Sequence, residues 1–486
     1  METCTLIIKD EVNCKFDGLD VDTRRKISNE LKFFIPYARH TPAYRLGRWD
    51  GMISFCDIGG RTYINLLPVL LPIVQQAGYD IEIDDQREPT SEFVFEKVAA
   101  DSYSHIKWPE GHPLAGQPVM IKDHQVEVIN SYLESPAGVN IAPTGSGKTI
   151  VTAILSHKVE AYGRSIVIVP SKDLVTQTEE DYRNFGLDVG VFFGDRKEYQ
   201  KKHTICTWQS LESLAKQSKV KELEIDINAF FDGVVCVIVD EVHRAKADVL
   251  RQILSGPLAY APLRWGLTGT MPEEDFEKMS IVSCIGPLLG QISTKELQEK
   301  GILSNLHINV WQLEDLGSNV FSSYQIELKW LTSNTVRLNF LAAKFMEIAE
   351  TGNTLILVDR VETGKTLEKL IPGSVFVSGA MKSKDRKKEY KEVQEVDEKI
   401  IIATYGVAST GINIVRIYNL ILFEVGKSFV RVIQSIGRGI RVAPDKDFLN
   451  VYDVCSNTKY SKRHLGKRKK VYTEQQYPYT IKKVTY

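Results

Sequence analysis

Small residues and a single lysine fill residues 142–149, APTGSGKT, between an apolar run and a helical pattern. Gly145 and Gly147 let successive backbone N–H groups converge on phosphate oxygens, and the helix that follows directs its partial positive charge toward the same anion. Lys148 can reach the terminal phosphates, and the Thr149 hydroxyl can bind Mg²⁺. The sequence therefore predicts an ATP site lined by Pro143, Thr144, Gly145, Ser146, Gly147, Lys148 and Thr149.

Two adjacent carboxylates, Asp240 and Glu241, follow the apolar run 234–239. A carboxylate at the end of a strand can hold Mg²⁺, and a second one beside it can position or deprotonate the water that attacks a terminal phosphate. An acidic pair after a strand is by itself most often a solvated turn. Downstream of a phosphate loop, the pair instead indicates that Asp240 binds the metal and that Glu241 is the catalytic base.

Two arginines three residues apart, Arg438 and Arg441, lie on one face of a predicted helix in the segment 434–441. Such a pair is ordinarily solvent-facing charge. This half of the chain has no phosphate loop of its own, so we expect both arginines to reach the nucleotide held by the first half. An arginine donated to developing phosphoryl charge contributes about 10³ to 10⁵ in rate.

Apolar runs alternate with helical patterns in two successive parts of the chain, residues 121–290 and 291–456. Continuous apolar strands separated by helices predict a parallel sheet covered on both faces, so we expect two doubly wound α/β domains. Residues 1–90 indicate a small α/β accessory domain, and residues 91–120 carry the turn formers of a linker. Residues 457–486 form a basic extension.

The composition is that of a folded chain with balanced charge. Its 486 residues are 43% hydrophobic, and 61 Lys and Arg oppose 62 Asp and Glu, for a net charge of −1. Bulk positive charge is therefore excluded as a means of binding nucleic acid, and any basic surface must be local. The apolar stretch 66–74 is too short to cross a bilayer, and the first residues lack the pattern of a signal peptide. We expect a cytoplasmic protein without membrane contact, whose seven scattered cysteines are reduced packing residues.

Taken in order and spacing, these motifs resemble those of the superfamily 2 helicases and translocases over residues 121 to about 456. The resemblance implies two tandem RecA-like domains, hydrolysis of ATP with Mg²⁺, and movement on DNA. It assigns adenine recognition to Gln125 and nucleotide contacts to Gly411 and Asn413. Asn413 stands where aspartate is common in the family, but its amide can still form a hydrogen bond.

The same resemblance implies two further groups of residues. The candidates for contact with the nucleic-acid backbone are Pro170, Ser171, Lys172, Thr207, Trp208, Gln209, Ser210, Arg360, Ser378, Gly379, Thr404 and Tyr405. The candidates for coupling hydrolysis to strand movement are His243, Thr268, Gly269, Thr270 and Gln434.

The segment 44–51, YRLGRWDG, lies in the small N-terminal module and is similar to the phage branch-migration helicases of the UvsW type. That resemblance implies branched DNA as the substrate, such as forks and Holliday-type junctions, in recombination, repair and replication, and a bacterial host cytoplasm as the location. Arg45 and Arg48 offer two phosphate-binding cations beside Trp49, which can stack on a base. Alternatively, Trp49 fills the core of the module, and the residues alone leave the two interpretations equal.

Positive charge is concentrated near the end of the sequence. Residues 459–486 contain nine Lys or Arg and a single acid, Glu474, with five interleaved tyrosines. Cations and aromatic rings in alternation are typical of a surface that binds strand backbone and bases, although charge runs are also common in solvated segments. Contact with duplex DNA is the preferred interpretation.

The expected function is therefore that of an ATP-dependent DNA helicase acting on single-stranded and branched DNA as a monomer. A duplex translocase similar to a restriction motor is the main alternative, and an RNA helicase is a weaker one. A module that binds ATP only as a clamp is disfavoured, because it would need neither a catalytic base nor arginine fingers.

Overall fold

The computed structural model describes residues 2–88, 92–110, 114–218, 227–244, 247–315, 321–379, 381, 398–407, 416–426, 446 and 448–486. These residues form two compact units, the first consisting of Met1–Ala142 with Gly147–Gln291 and the second of Pro143–Ser146 with Ile292–Tyr486.

The first unit begins with a small α/β module. Its elements are β1 (Glu2–Ile8), β2 (Asn13–Asp17), α1 (Val21–Glu30), β3 (Lys32–Phe34), α2 (Pro42–Arg45), β4 (Met52–Ser54), β5 (Arg61–Tyr63), α3 (Leu67–Gln76) and β6 (Tyr79–Asp85). Four strands pair in the order β5-β2-β1-β6, with β1 antiparallel to β2 and parallel to β6, while β3 and β4 form a separate antiparallel pair. The core of the module lies between the larger sheet and the two longer helices.

The described residues between the module and the first large sheet are irregular but not loosely attached. Val98, Tyr103 and Val119 are buried, and the Tyr103 hydroxyl lies 2.8 Å from Nδ1 of His157. The segment predicted to be a linker that lies across the surface therefore packs along the following domain.

The rest of the first unit is a parallel sheet with helices on both faces. Its elements are α4 (Asp123–Leu133), β7 (Ala137–Ile141), α5 (Lys148–Val159), β8 (Arg164–Val169), α6 (Lys172–Asn184), β9 (Val189–Phe193), β10 (Arg196–Lys197), β11 (His203–Thr207), α7 (Trp208–Ser218), α8 (Ile227–Phe231), β12 (Val234–Asp240), α9 (Ala247–Leu254), β13 (Leu263–Thr268), α10 (Asp275–Cys284) and β14 (Leu288–Gln291). The strand order is β10-β9-β11-β8-β12-β13-β7-β14, and only the short β10 runs antiparallel to its neighbour.

The N-terminal module docks on this domain through α10 and the end of α9 with the turn that follows it. The Asn13 side chain donates to the Ser255 carbonyl at 2.9 Å, and the Glu11 N–H donates to the Ala259 carbonyl at 3.0 Å. Met279 of α10 packs against the module's core, and Phe276 is buried with Ile35 and Ala38 in a second cluster. Shared apolar burial and backbone hydrogen bonds thus join the module to the domain.

The second unit contains another parallel sheet. Its elements are α11 (Thr294–Glu299), β15 (Asn305–Leu313), α12 (Tyr324–Ser333), α13 (Thr335–Ala349), β16 (Thr354–Val358), α14 (Val361–Leu370), β17 (Val375–Val377), β18 (Ile400–Thr404), β19 (Asn419–Phe423), β20 (Phe448–Ser456), α15 (Lys459–Glu474) and β21 (Tyr479–Val484). The order is β17-β18-β16-β19-β20-β15-β21, and all described pairs are parallel. The predicted fold of two tandem parallel-sheet domains after a small α/β module is confirmed.

The basic segment that the sequence presents as an extension is part of the second sheet. β21 pairs with β15 along its whole length, and α15 is the crossover helix that connects β20 to β21. Parallel neighbours require such a crossover, so the segment completes the domain.

Two expectations from composition concern thiols and membrane spans. All seven cysteines are buried, and none forms a disulfide, which confirms them as packing residues. Within the part of the chain that the structure describes, no helix has the length and apolar character required to span a bilayer.

Candidate nucleotide site

The phosphate loop, the acidic pair and the Thr268 segment meet at one edge of the first sheet. β13 lies between β7 and β12, so the carboxyl ends of these three strands are adjacent. The Ala142 N–H donates to the Thr268 carbonyl at 2.8 Å, which joins the start of the loop to the end of β13. Ligands of open parallel α/β sheets bind at this kind of edge.

Gly147 satisfies two constraints at the end of the loop. Its φ of 84° lies in the left-handed region, and it caps the N-terminus of α5. A Cβ at this position would also overlap Nε2 of Gln125. The Gln125 side chain is 3% exposed, and its Oε1 accepts a hydrogen bond from the Lys122 N–H at 3.0 Å. The predicted adenine-recognising glutamine is therefore anchored directly against the phosphate loop.

Lys148, the first residue of α5, points back toward the acidic pair. Its Nζ lies 3.0 Å from Oε1 of Glu241 and donates to the Ala142 carbonyl at 3.2 Å. The two side chains are 10% and 14% exposed, respectively. The predicted phosphate-binding lysine and the predicted base thus form a mostly buried ion pair, with the half-buried Thr149 next along the helix.

Glu241 is held by groups from several segments. Its φ of 51° is left-handed, a conformation that costs energy for a residue with a side chain. Its N–H donates to Oδ1 of Asp240 at 3.0 Å, and its Oε2 accepts from the Gly269 N–H at 3.3 Å. The same oxygen lies 3.3 Å from Nδ1 of His243. These contacts fix the carboxylate at the sheet edge.

Burial and nearby charges shift the pKa values of Asp240, Glu241 and His243 away from their ordinary values. Burial and the charge of Glu241 raise the pKa of Asp240 to about 7. Burial acts in the same direction on Glu241, but Lys148 and His243 outweigh it and lower its pKa to about 2. Burial lowers the pKa of His243 to about 4. Glu241 is therefore ionised and His243 neutral at pH 7.

The residues present fit Mg²⁺. The charged form of Asp240 is disfavoured where it stands, and an adjacent divalent cation would stabilise it. A carboxylate from Asp240 and a hydroxyl from Thr149 are the hard oxygen ligands that Mg²⁺ prefers.

The candidate coupling residues of the first unit form a connected chain. Nδ1 of His243 lies 2.6 Å from Oγ1 of Thr268, and that hydroxyl donates its hydrogen to the Thr270 carbonyl at 2.7 Å. Because the hydroxyl has one hydrogen, Nδ1 of the neutral His243 must carry the proton that it shares with Thr268. Since Gly269 also bonds Glu241, the segment after β13 is linked to the base both directly and through His243.

Candidate DNA contacts of the first domain follow β8 and β11, at the same edge. Ser171 caps α6 by accepting from the Leu174 N–H at 3.4 Å, and the Thr207 and Ser210 hydroxyls lie 3.0 Å apart. Pro170, Lys172 and Gln209 stand beside these residues in sequence. Trp208 does not match the expectation, because its ring is 5% exposed and packs in the domain core.

In the second unit, the candidate contacts again follow strands. Arg360 comes after β16 and donates to Oε1 of Gln325 at 3.3 Å, Ser378 and Gly379 follow β17, and Thr404 ends β18. Tyr405 is 2% exposed, and its hydroxyl donates to the Phe423 carbonyl at 3.3 Å. Its ring therefore belongs to the core and is not available to stack on or bond to DNA.

Five predicted site residues lie outside the described residues, namely Gly411, Asn413, Gln434, Arg438 and Arg441.

The basic segment of the N-terminal module separates into exposed and packed residues. Arg45 and Arg48 are exposed. The Trp49 indole N–H donates to the Met52 carbonyl at 2.9 Å, and its ring packs against the cluster that contains Phe276. The half-buried ring favours the interpretation of Trp49 as a packing residue over that of a stacking surface.

Arg244 belongs to the site but was not among the predicted residues. Burial lowers its pKa, while the charges of Glu241 and Asp240 act in the opposite direction, so a cation stands next to the acidic pair. In the sequence, Arg244 directly follows the predicted coupling residue His243, and this position could have identified it as part of the site.

The arrangement indicates a class of protein. A phosphate loop, an ionised carboxylate that could act as a base and a second carboxylate that could bind a metal lie at the edge of a parallel sheet, in a chain with a second parallel sheet. These are the elements expected of an ATPase with tandem RecA-like domains.

Comparison with known proteins refines this class. A family model of the type III restriction enzyme res subunit matches residues 119–273, and one of the helicase conserved C-terminal domain matches residues 337–443. The ATP-dependent DNA helicase uvsW of Enterobacteria phage T4 is 24% identical over 94% of this chain and 92% of its own length. The DNA 3'-5' helicase XPB of Mycobacterium tuberculosis is 22% identical over 77% of this chain and 68% of its own length.

Among solved structures, a fragment of a putative HsdR subunit of a type I restriction enzyme from Vibrio vulnificus shares the fold. Its TM-score is 0.56 at 16% identity, over 97% of this chain and 84% of that chain. These matches indicate an ATP-dependent helicase of superfamily 2. Within that class the chain is similar to the phage helicase uvsW over nearly its whole length.

Proposed function

We propose that this ATP-dependent DNA helicase remodels branched DNA, such as forks and Holliday-type junctions, in replication, recombination and repair. The observation that carries the proposal is the docking of the N-terminal module on the first motor domain, through α10 and the end of α9 with the turn that follows it. Exposed Arg45 and Arg48 on this module would hold a second DNA arm while the motor works on the strand. The similarity to the phage DNA helicase uvsW extends over the module.

The proposed hydrolysis uses the contacts of the first sheet edge. Lys148 exchanges Glu241 for the terminal phosphates of ATP, and the released carboxylate orients and deprotonates the attacking water. Asp240 and Thr149 would hold Mg²⁺, which would supply positive charge to the phosphates. Arg438 and Arg441 donate to the developing phosphoryl charge. His243 and Gly269 transmit the changed position of Glu241 to the segment after β13.

The proposed DNA path follows the carboxyl edges of the sheets. The proposed strand contacts of the first domain are Lys172, Ser171 and the Thr207 segment, and those of the second are Arg360 and Thr404. Hydroxyl and cationic groups of this kind bind phosphates and sugars, so sequence preference should be weak.

Steady-state ATP hydrolysis with different nucleic acids tests the proposal. The panel contains no nucleic acid, single-stranded DNA, plain duplex, a three-way fork, a four-way junction and matched RNAs, at one salt concentration because backbone binding depends on salt. Strongest stimulation by the fork or the junction supports branch remodelling. Stimulation by RNA alone would overturn the DNA assignment, and Lys148→Ala is the control for turnover at this site.

A duplex translocase is the second candidate, because the matching family model of the first domain is that of a restriction-enzyme subunit. Such a motor would be stimulated equally by plain duplex and by forks and would displace no strand. A fork with one labelled strand separates the two functions, since only a branch-remodelling helicase releases the label.

A further inference from the structure

The exposed side of α15 carries five cations and a single acid. This helix has 16 residues, and its exposed charged positions are Lys459, Lys462, Arg463, Lys467, Lys470 and Glu474. With about 100° between successive helical residues, these positions fall within one face. Arg468 lies on the opposite side, where it is 2% exposed and bonds both carboxylate oxygens of Asp453 at 2.8 and 2.9 Å. The fold therefore separates the cations of the segment into a structural one and a surface row.

This row does not have the charge pattern of an ordinary solvated helix. Lys459 and Arg463, and Arg463 and Lys467, are like charges at i,i+4, and each such pair costs about 0.2–0.5 kcal/mol. Glu474 gives the one ion pair found on the described face, to Lys470 at 3.7 Å. In a chain with a net charge of −1, a face with five cations and one acid is matched to a polyanion.

We propose that this basic face of α15 binds the phosphate backbone of a DNA duplex, as a contact additional to the strand path along the sheet edges. The inference rests on the proposed function, because it supplies a site for the double-stranded arm of a branched substrate. α15 is about 24 Å long, at about 1.5 Å per residue, which is the axial length of about seven base pairs.

The tyrosines of the segment favour duplex over single-stranded DNA. Surfaces for single strands combine cations with exposed aromatic rings on which bases stack. Here Tyr472 and Tyr477 are 0% and 4% exposed, and the Tyr472 hydroxyl donates to Asp453 at 2.9 Å. With these two rings in the core, and the half-buried ring of Tyr460 beneath the Lys459 ammonium group, the face offers mainly charge, which suits phosphates whose bases are already paired.

The location separates this face from the strand path. As the crossover between β20 and β21, α15 runs back from the carboxyl edge of the sheet to the amino edge, along one face. Its cations therefore extend away from the carboxyl edge where Arg360 and Thr404 lie.

The test compares two variants of the full chain with equal loss of charge. In the first, Lys462, Arg463, Lys467 and Lys470 are changed to Gln. In the matched control, the exposed residues Lys295, Lys329, Lys365 and Lys369, on other helices of the second unit, are changed to Gln. Affinity for a fork, a plain duplex and single-stranded DNA is measured from 50 to 200 mM salt, together with thermal unfolding.

The α15 variant is expected to reduce the slope of log K against log salt for duplex and fork by about 3.6, or about 0.9 per lost phosphate contact. Its single-strand slope and unfolding midpoint should equal those of the control. If the α15 variant and the control show equal slopes of log K against log salt for duplex DNA, the inference is overturned. The face would then be assigned to an acidic protein partner. Should the fourfold variant unfold, Lys462→Gln with Lys467→Gln is expected to reduce the slope by about 1.8.

The same measurements distinguish this inference from the proposed function. If the wild-type protein shows no preference for branched DNA in ATP hydrolysis but the α15 variant loses the duplex slope, the duplex contact stands and branch remodelling fails. If the branched preference is present and the slopes are equal, only the α15 contact fails.

Discussion

Nζ of Lys148 lies 3.0 Å from Oε1 of Glu241, so the lysine expected to bind phosphate is paired with the carboxylate expected to activate water. The pair keeps the base ionised, since Lys148 lowers its pKa. A nucleotide phosphate would compete for the same ammonium group. Binding of ATP would therefore move Lys148 from Glu241 to a phosphate, and the same step would release Glu241.

Lys148→Ala is expected to abolish ATP turnover and leave DNA binding intact. The variant loses the phosphate contact and leaves Glu241 without its main cation, so its catalytic loss should be at least about 10³-fold, equivalent to about 4 kcal/mol. Steady-state hydrolysis and filter binding of a fork measure the two properties. Normal turnover in this variant would show that the site is elsewhere.

Glu241→Gln is the complementary change. It keeps the size of the side chain and one oxygen for the Gly269 N–H, but it removes the base. ATP should still bind, with affinity within about tenfold of the wild type, while hydrolysis falls by about 10²–10⁴-fold, the usual contribution of a general base. A fluorescent ATP analogue reports binding, and loss of both properties would indicate a disrupted loop instead.

Gly147→Ala should prevent nucleotide binding without unfolding the protein. A methyl group there meets the Gln125 side chain, and the left-handed backbone adds about 1–2 kcal/mol of strain. The double change Gly147→Ala with Gln125→Ala removes the overlap but keeps the strain, so it should recover part of the binding. Equal binding by the single variant and the wild type would argue against the described loop conformation.

Thr268→Val tests coupling, because it removes the hydroxyl between His243 and Thr270 and preserves the shape of the side chain. The contacts of Glu241 with Lys148 and Gly269 remain, so DNA-stimulated hydrolysis should stay within about threefold of the wild type. Fork unwinding should fall by about tenfold, or about 1.4 kcal/mol. Parallel measurements of the two rates are required, and an equal loss in both would assign Thr268 to hydrolysis itself.

The sequence predicted the residues that are fixed by local signals and missed those whose role depends on distant partners. The phosphate loop and the acidic pair each follow an apolar strand, so their positions at a sheet edge come directly from the parallel fold. Trp208 and Tyr405 also follow strands, but their rings turn into the core, which a motif cannot show. In the sequence, Arg468 is one more cation of a basic run. Only the structure shows that Asp453, on the preceding strand, binds it.

That distinction gives a direct stability test within one helix. Arg468→Gln leaves the fully buried Asp453 without its cation, and breaking a buried pair from one side costs about 3–5 kcal/mol. Lys467→Gln, one residue earlier on the exposed face, should change the free energy of unfolding by less than about 0.5 kcal/mol. Urea denaturation measures the stability of the two variants. Arg468→Gln should be the less stable variant, whereas Lys467→Gln should show the larger loss of duplex affinity per folded molecule. Equal stabilities would mean that α15 is not packed through Arg468 as described.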